Sequence, residues 1–576
     1  MSLLPFGELP PHTPRRFLPV RIDFDDWTAV EACLDRLATA GRGARTLVEL
    51  ETWLVDLGEV GSAIDEERAR RYIAMTCHTD DAEAERAYLR LVEEMEPRLK
   101  PRMFELARIY AEHPLRAGLP ADRYGVFDRN KRLEIELYRE ENVALETEEA
   151  RLSQQYQKRM GGLTVEFEGQ ERTLVQMGLY QEMTDRTRRE AAWRAVAERT
   201  ALESEQFEGL FDGLRAVRGK MAANAGFGDY RAYAFKARGR FDYGPEDCER
   251  FHDAIEAEVV PLLRELQGER RRVLGLETLR PWDTSVDPLG RGPLKPFSDT
   301  AQLEEASQRV FDGLDPKLAA DFRLMRETRL LDLANRKGKA PGGYQYTLSE
   351  ARLPFIFMNA VGQQRDVETL FHEAGHAFHA LAARNEPLQA YREAPIEFCE
   401  VASMAMELLA AEGLGEFYGE EEVRRARRTH LEGIVGVFPW IATVDAFQHW
   451  IYMHPEHTVE DRRGAWERLM RRFGGDVDWS GLEVYRMNRW HRQLHIFIHP
   501  FYYVEYGIAQ LGALQVWANA QLDGPGALAR YRAGLALGGS KPLPELFAAA
   551  GCRFDFTRET VRPLLQRVRD ELGRLG

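Results

Sequence analysis

The stretch that most constrains this 576-residue sequence is Leu370-Phe371-His372-Glu373-Ala374-Gly375-His376-Ala377-Phe378-His379, because it sets two imidazoles four residues apart in a segment of helical periodicity. Positions i and i+4 stack on one helix face, so His372 and His376 can present their rings to one metal ion with Glu373 beside them. In an H-E-x-x-H helix two neutral imidazoles hold Zn²⁺, and the carboxylate takes a proton from the water that the metal activates. A catalytic zinc keeps three protein ligands and one open position, so a third His, Glu or Asp is expected elsewhere. His379 shares the face, but three ligands from one straight helix crowd a tetrahedron. The longer motif that ends in a third histidine would need Gly at 379 and His at 382, where the chain has His379 and Ala382. The following segment offers Glu393, Glu397, Glu400 and Glu407. Positions 393, 400 and 407 are two turns apart on a helix, so one carboxylate can ligate while a neighbour holds a ligand imidazole from behind. Apolar Phe398, Val401, Met404 and Leu408 among them argue against a solvent-facing acidic stripe.

Composition removes several function classes. A formal net charge of -15 speaks against a nucleic-acid or anionic-membrane surface, where a basic excess would supply the affinity. Five scattered cysteines, Cys33, Cys77, Cys248, Cys399 and Cys552, contain no C-x-x-C pair, so a reducing, cytoplasmic setting is expected rather than a disulfide framework or thiolate cluster. The start, Met1-Ser2-Leu3-Leu4-Pro5-Phe6-Gly7-Glu8, lacks the layout of a secretory signal, and no window approaches eighteen uninterrupted apolar residues. Length points to several domain-sized units or to fewer large helical ones.

Along the chain, apolar residues recur at three and four from Trp27 onward (Trp27, Val30, Leu34, Leu37, then Leu47, Leu50, Leu54, Leu57), which predicts amphipathic helices. A charge-rich segment from Asp128 to Met160 reads as one long, partly exposed helix with room for a bend, ended by Gly161-Gly162. Alternation at Leu163, Val165 and Phe167, with a turn at Glu168-Gly169, predicts a short β-hairpin, after which helix resumes from about Asp185 to Gly226. The turn-rich run from Pro281 to Pro296 reads as a linker or surface loop. Tyr344 to Thr347 and Pro354 to Asn359 predict two strands ahead of the motif, the second either an edge that pairs with an extended peptide or a strand that covers a helical core, the two readings standing equal on sequence. The run Glu420-Glu421-Glu422-Val423-Arg424-Arg425-Ala426-Arg427-Arg428 reads as a solvated helix face. Far downstream, Tyr502 and Tyr506 stand at i and i+4, and neutral phenols are suitable donors to the oxyanion that forms when water attacks a peptide carbonyl. His495 is a further donor candidate, while His449 and His491 read as packing histidines.

His372-Glu373-Ala374-Gly375-His376, followed by Glu400-Val401-Ala402-Ser403 and Glu407, resembles the thimet oligopeptidase and oligoendopeptidase F family of zinc peptidases, most of all its oligoendopeptidase F and Pz-peptidase branch. The resemblance extends over most of the chain, through Asn142-Val143-Ala144-Leu145-Glu146, Gly338 to Tyr344, Pro354 to Asn359, Asp445 to Trp450 and His495 to Tyr506. It implies a mainly α, neurolysin-like fold: a two-lobed helical ellipsoid with a deep central channel and a small β-sheet beside the zinc helix, divided as an N-terminal lobe, 1–200, and a catalytic lobe, 201–576. It implies one Zn²⁺ per chain on His372, His376 and Glu400, Glu373 as general base, and His495, Tyr502 and Tyr506 as catalytic donors. Phe355, Ile356, Phe357 and His499 are expected at the substrate, Tyr503 competes with its neighbours locally, and His379, Glu393 and Glu407 are expected behind the ligands. The expected reaction is hydrolysis of internal bonds in short unstructured peptides, by a monomer or homodimer. A metallocarboxypeptidase and a non-catalytic peptide-binding helical protein are the rival readings.

Overall fold

The computed structural model describes residues 4–576, and Met1–Leu3, read above for a leader, lie outside them. The chain is mainly helical, as expected, and its strands form a two-stranded and a three-stranded sheet among the described residues. No helix is long and apolar enough to cross a membrane. Two compact units form, one from residues 1–136, 295–423 and 512–554, the other from 137–294, 424–511 and 555–576. The expected division at 200/201 is therefore corrected, because each unit is assembled from three separated segments and the borders at 423/424 and 511/512 fall inside the helices Glu420–Met453 and Tyr503–Leu522.

The single long helix expected from Asp128 to Met160 is two, Ala121–Leu137 and Glu140–Gly161, broken where Arg139 takes an extended conformation (φ -137°, ψ 128°), and the unit border at 136/137 falls at the end of the first of them. The hairpin forms as strands β1 (Thr164–Phe167) and β2 (Gln170–Thr173), with Phe167 opposite Gln170. Its two turn residues, Glu168 (φ 53°) and Gly169 (φ 73°), both adopt the left-handed geometry that matches strand twist in a two-residue turn. The turn-rich run after Pro281 is not a loose linker at its start: Trp282 and Asp283 are buried, and Asp283 pairs with Arg186 at 2.8 Å and Arg189 at 3.1 Å. A unit border does follow it, at 294/295. The arginines read as a solvated face are pinned instead, Arg425 on Asp287 at 2.8 Å and Arg428 on Glu432 at 2.8 Å.

In the first unit strands β3 (Leu331–Ala334), β4 (Tyr344–Leu348) and β5 (Leu353–Ala360) pair in the order β3-β5-β4, parallel on the β3 side and antiparallel on the β4 side. This corrects the reading of β5 as an edge strand, since neighbours occupy both of its backbone edges. Phe355, Ile356 and Phe357 are each 0% exposed, so they form core and are withdrawn as substrate contacts. A near-continuous apolar run marks a strand covered on both faces. From β5 the chain turns at Gly362 (φ 91°) into the motif helix, Gln364–Ala383. Asp366 Oδ2 caps that helix by accepting from the backbone N–H groups of Val361 and Gln363 at 2.8 and 2.9 Å.

Candidate active site

The motif helix packs along a second helix, Ile396–Ala410, and one residue sets how closely. A Cβ at Gly375 would stand 2.5 Å from Ser403 Cα and 2.6 Å from the Ala402 carbonyl oxygen, so only glycine lets the backbones approach this far. That approach brings Glu400 to the face carrying the two histidines. Glu400 Oε2 lies 3.4 Å from His372 Nε2 and 3.8 Å from His376 Nε2, and one donor atom from each of the three residues falls within 4.8 Å of the others. The edge of a tetrahedron with zinc–ligand bonds of 2.0–2.2 Å is about 3.3–3.6 Å, so the donor set and its spacing fit that ion. His372 Nδ1 meets Glu407 Oε1 at 2.6 Å, which fixes the ring and turns Nε2 toward Glu400. Ser403 Oγ donates to Glu400 Oε2 at 3.0 Å. The Ser at i+3 from Glu400 was visible in the sequence but carried no role there.

Electrostatics point the same way. Glu373 is buried, which raises its carboxyl to about 7 against the pull of His372, and Glu400 raises it further while the Gln345 N–H on β4 opposes. Burial works against charge on His372, yet the hydrogen bond it donates to Glu407 and the charges of Glu407, Glu400 and Glu373 bring it up to about 9. His376 is pushed well below its ordinary value by burial and then by His372 and His379, and Glu400 is raised by burial. Three carboxyl groups around two imidazoles in a largely buried place is an excess of negative charge that a dication would neutralise.

Two residues expected behind the ligands make no hydrogen bond to them among the described residues. His379 packs edge-on against Phe398 with ring centroids 5.7 Å apart, and its Nε2 has no hydrogen-bond partner among the described residues. Burial holds it down at about 4. Glu393 precedes the start of the Ile396–Ala410 helix, so the two-turn spacing that put it on one face with Glu400 and Glu407 does not apply.

The late segment builds its own cluster in the second unit. His495 lies on the short helix Leu494–Ile498, its ring 5.8 Å from those of Tyr502 and Tyr506, and Tyr502 and Tyr506 are 5.2 Å apart although Tyr502 stands just ahead of its helix. Tyr503 is 4.8 Å from His495 and the exposed His499 is 6.0 Å from Tyr502. The turn between the helices passes through buried Phe501 at φ 63°, a left-handed strain held by Phe501 N–H donating to Gln448 Oε1 at 2.7 Å and by Arg238 Nε donating to the Pro500 carbonyl at 2.9 Å.

Sequence reasoning missed Gln493 and Trp440. Trp440 Nε1 can only donate, and it does so to Gln493 Oε1 at 2.9 Å. That orients the amide, so Gln493 Nε2 donates to His495 Nδ1 at 2.8 Å. With Nδ1 accepting, and burial, His499 and Arg238 holding His495 down at about 4, the neutral ring carries its proton on Nε2. A second grouping of ligand-type residues in this unit, Cys248, Asp445 and His449, is buried. Arg231 faces His449 Nδ1 at 3.4 Å and so leaves the ring proton on Nε2, 3.3 Å from Asp445 Oδ2, while His252 Nε2 meets the same oxygen at 2.8 Å. His491 is buried beside Glu208 at 3.3 Å.

The model of peptidase family M3 matches residues 179–564. Oligopeptidase PepF of Bacillus subtilis is 27% identical over 304 residues, 51% of this chain and 43% of that protein. An oligoendopeptidase F homolog of Borreliella burgdorferi is 25% identical over 305 residues, 50% and 49% of the two chains. The chain thus spans about half the length of these curated relatives. Among solved structures, that of Pz peptidase A with an inhibitor superposes with a TM-score of 0.87 at 28% identity, covering 97% of this chain and 99% of that one. A putative oligoendopeptidase F from Bacillus anthracis gives 0.83 at 25% identity over 96% and 97%.

Proposed function

The chain belongs to peptidase family M3, and from that premise we propose that it is a zinc-dependent oligopeptidase hydrolysing internal bonds of short unstructured peptides. The observation that carries the reading is the convergence of His372, His376 and Glu400 with buried Glu373 alongside. These three residues would hold the ion, and the chemistry it supplies there is acidification of water and polarisation of the scissile carbonyl. Glu373 takes the proton from the attacking water and returns it to the leaving amine. A carboxyl held near 7 by burial exchanges a proton in either direction at neutral pH. Glu407 keeps His372 in one tautomer through Nδ1. The Nε2–H of His495 and the phenols of Tyr502 and Tyr506 are assigned as donors to substrate oxygen, with His499 as a peptide contact. Five free cysteines, four of them buried, suit the reducing cytoplasm assigned to it.

The test is a quenched peptide of five to ten residues incubated with purified protein, with and without a chelator. Cleavage that the chelator abolishes and zinc restores is expected. Glu373→Gln should retain the metal and lose turnover by several orders of magnitude. Cleavage indifferent to the chelator, or a Glu373→Gln variant at wild-type rate, would refute the reading, and binding without any cleavage would favour the peptide-holding alternative.

A further inference from the structure

A cavity of about 600 Å³ opens within the second unit, walled by Trp193, Trp440, Trp479 and Tyr485 and holding the side chains of Arg489 and Arg492. Both arginines are reached by solvent, yet protein atoms surround them because the surface there is concave. Arginines nearby have carboxylates: Arg486 meets Glu467 at 2.9 Å and Arg280 meets Asp478 at 2.9 Å. Arg489 and Arg492 have none among the described residues, and the charged group that acts on Arg489 is Arg492 itself. Burial and then that like charge bring Arg489 down to about 10, which still leaves both guanidiniums charged at neutral pH. Arg489 lies over Trp440 at 4.5 Å and Trp479 at 5.8 Å, contacts that fix its plane without cancelling its charge.

Two guanidiniums side by side in a concavity, with no carboxylate on them among the described residues, attract an anion, and their planar forks match a carboxylate. The indole walls suit the apolar part of whatever carries it, and the volume is that of a small-ligand site. The cavity is also joined to His495, since the indole of Trp440 donates to Gln493 and Gln493 donates to His495. We propose that Arg489 and Arg492 form a carboxylate subsite that takes the free C-terminus of a peptide substrate. This rests on the peptidase reading and narrows its substrate class to peptides short enough to present their own end. The shared chemistry is a carboxylate on a short chain, whose other source would be an acidic side chain.

The experiment is calorimetry in the Glu373→Gln background, so that nothing is turned over. Three probes are used: acetyl-pentaalanine as the free acid, the same peptide as its carboxamide, and a carboxamide with Glu as its last residue. The free acid should bind about tenfold or more tighter than the carboxamide, the margin expected of a charge-assisted bidentate contact. Arg489→Gln and Arg492→Gln should each erase most of that advantage and leave the affinity for the carboxamide unchanged. Equal binding of acid and carboxamide, or an advantage that survives both substitutions, would overturn the proposal. A Glu-terminated carboxamide that binds as tightly as the acid would overturn the C-terminal assignment. In chelator-sensitive assays of the wild-type protein, kcat/KM should follow the same order. A chain that cleaves acid and carboxamide equally fails the subsite alone, whereas one that binds the acid through these arginines and cleaves nothing fails the peptidase reading alone.

Discussion

Substituting Gly375→Ala tests whether the metal centre depends on the close approach of the two helices. The added methyl would stand 2.5 Å from Ser403 Cα and 2.6 Å from the Ala402 carbonyl oxygen, and both are backbone atoms that cannot swing aside. Non-bonded carbons rest about 3.5–4.0 Å apart, so the helices must open by about 1 Å or more. Stability alone is a poor reporter of that opening. Overpacking costs about 1–3 kcal/mol, while replacing Gly by Ala inside a helix returns about 0.5–1 kcal/mol, so the two effects partly cancel. Metal affinity does not share the compensation. His372 and His376 lie on one helix and Glu400 on the other, 3.4 and 3.8 Å apart, and ligand distances tolerate only about 0.2 Å of error. A loss of zinc affinity of about tenfold or more, equal to about 1.4 kcal/mol, is expected. Competition against a chromophoric chelator at fixed pH measures it, with circular dichroism to show that helix content is kept. Wild-type affinity in a folded Gly375→Ala protein would mean that Glu400 is not held by this packing, or is not a ligand.

Glu407→Ala removes the partner of His372 Nδ1 and should weaken zinc binding about 10–100-fold while Glu373 stays in place; the chelator competition decides it, and unchanged affinity would reject the orienting role. Gln493→Glu keeps the shape but turns a donor to His495 Nδ1 into an acceptor, so the neutral ring should carry its proton on Nδ1 and its pKa should rise from about 4. In that variant kcat should fall at pH 7 with zinc content unaltered and recover in part on acidification, where the imidazolium again offers Nε2–H; an unchanged pH profile would refute the donor assignment. His379 is held at about 4 in the folded chain against 6.5 unfolded, so between those values the unfolded chain binds a proton that the folded one does not. Stability should therefore be full above pH 6.5 and decline as pH falls toward 4, by up to about 3 kcal/mol from this group. His379→Asn should lower proton uptake on unfolding at pH 5 by nearly one, and denaturant titrations with the same pH slope as the wild type would contradict it.

The metal centre was the most legible part of the chain because its logic is local. His372 and His376 share a helix face by spacing alone, and Glu400 and Glu407 are two turns apart on the next helix. Glu393 has the same spacing and failed, because the helix begins at Ile396 and periodicity has no meaning before it. The strand Leu353–Ala360 was legible as a strand but not as a central one. The missing fact was β3, a four-residue strand whose Leu331-Asp332-Leu333 alternation is too short to announce it, and which takes up the edge expected to be free. The split at 200/201 failed for a related reason, since the compact units gather three segments each from remote parts of the chain, and local composition does not record which remote helices share a core.

Arg489 and Arg492 show where reading by residue type stops. In sequence they are two of many arginines in an acidic protein, and Arg486, three residues before Arg489, looks no different. What separates them is whether a carboxylate faces the guanidinium, and that depends on helices far away in the chain: Glu467 meets Arg486, and among the described residues no acid meets the other two. Gln493 depends on context in the same way, since its amide has a defined direction only because Trp440, 53 residues earlier, can donate and cannot accept. A polar side chain takes its chemical role from its partner. Where the partner is a neighbour on the same helix, the role can be read from spacing; where it is distant, the residue is silent until the fold places the partner beside it.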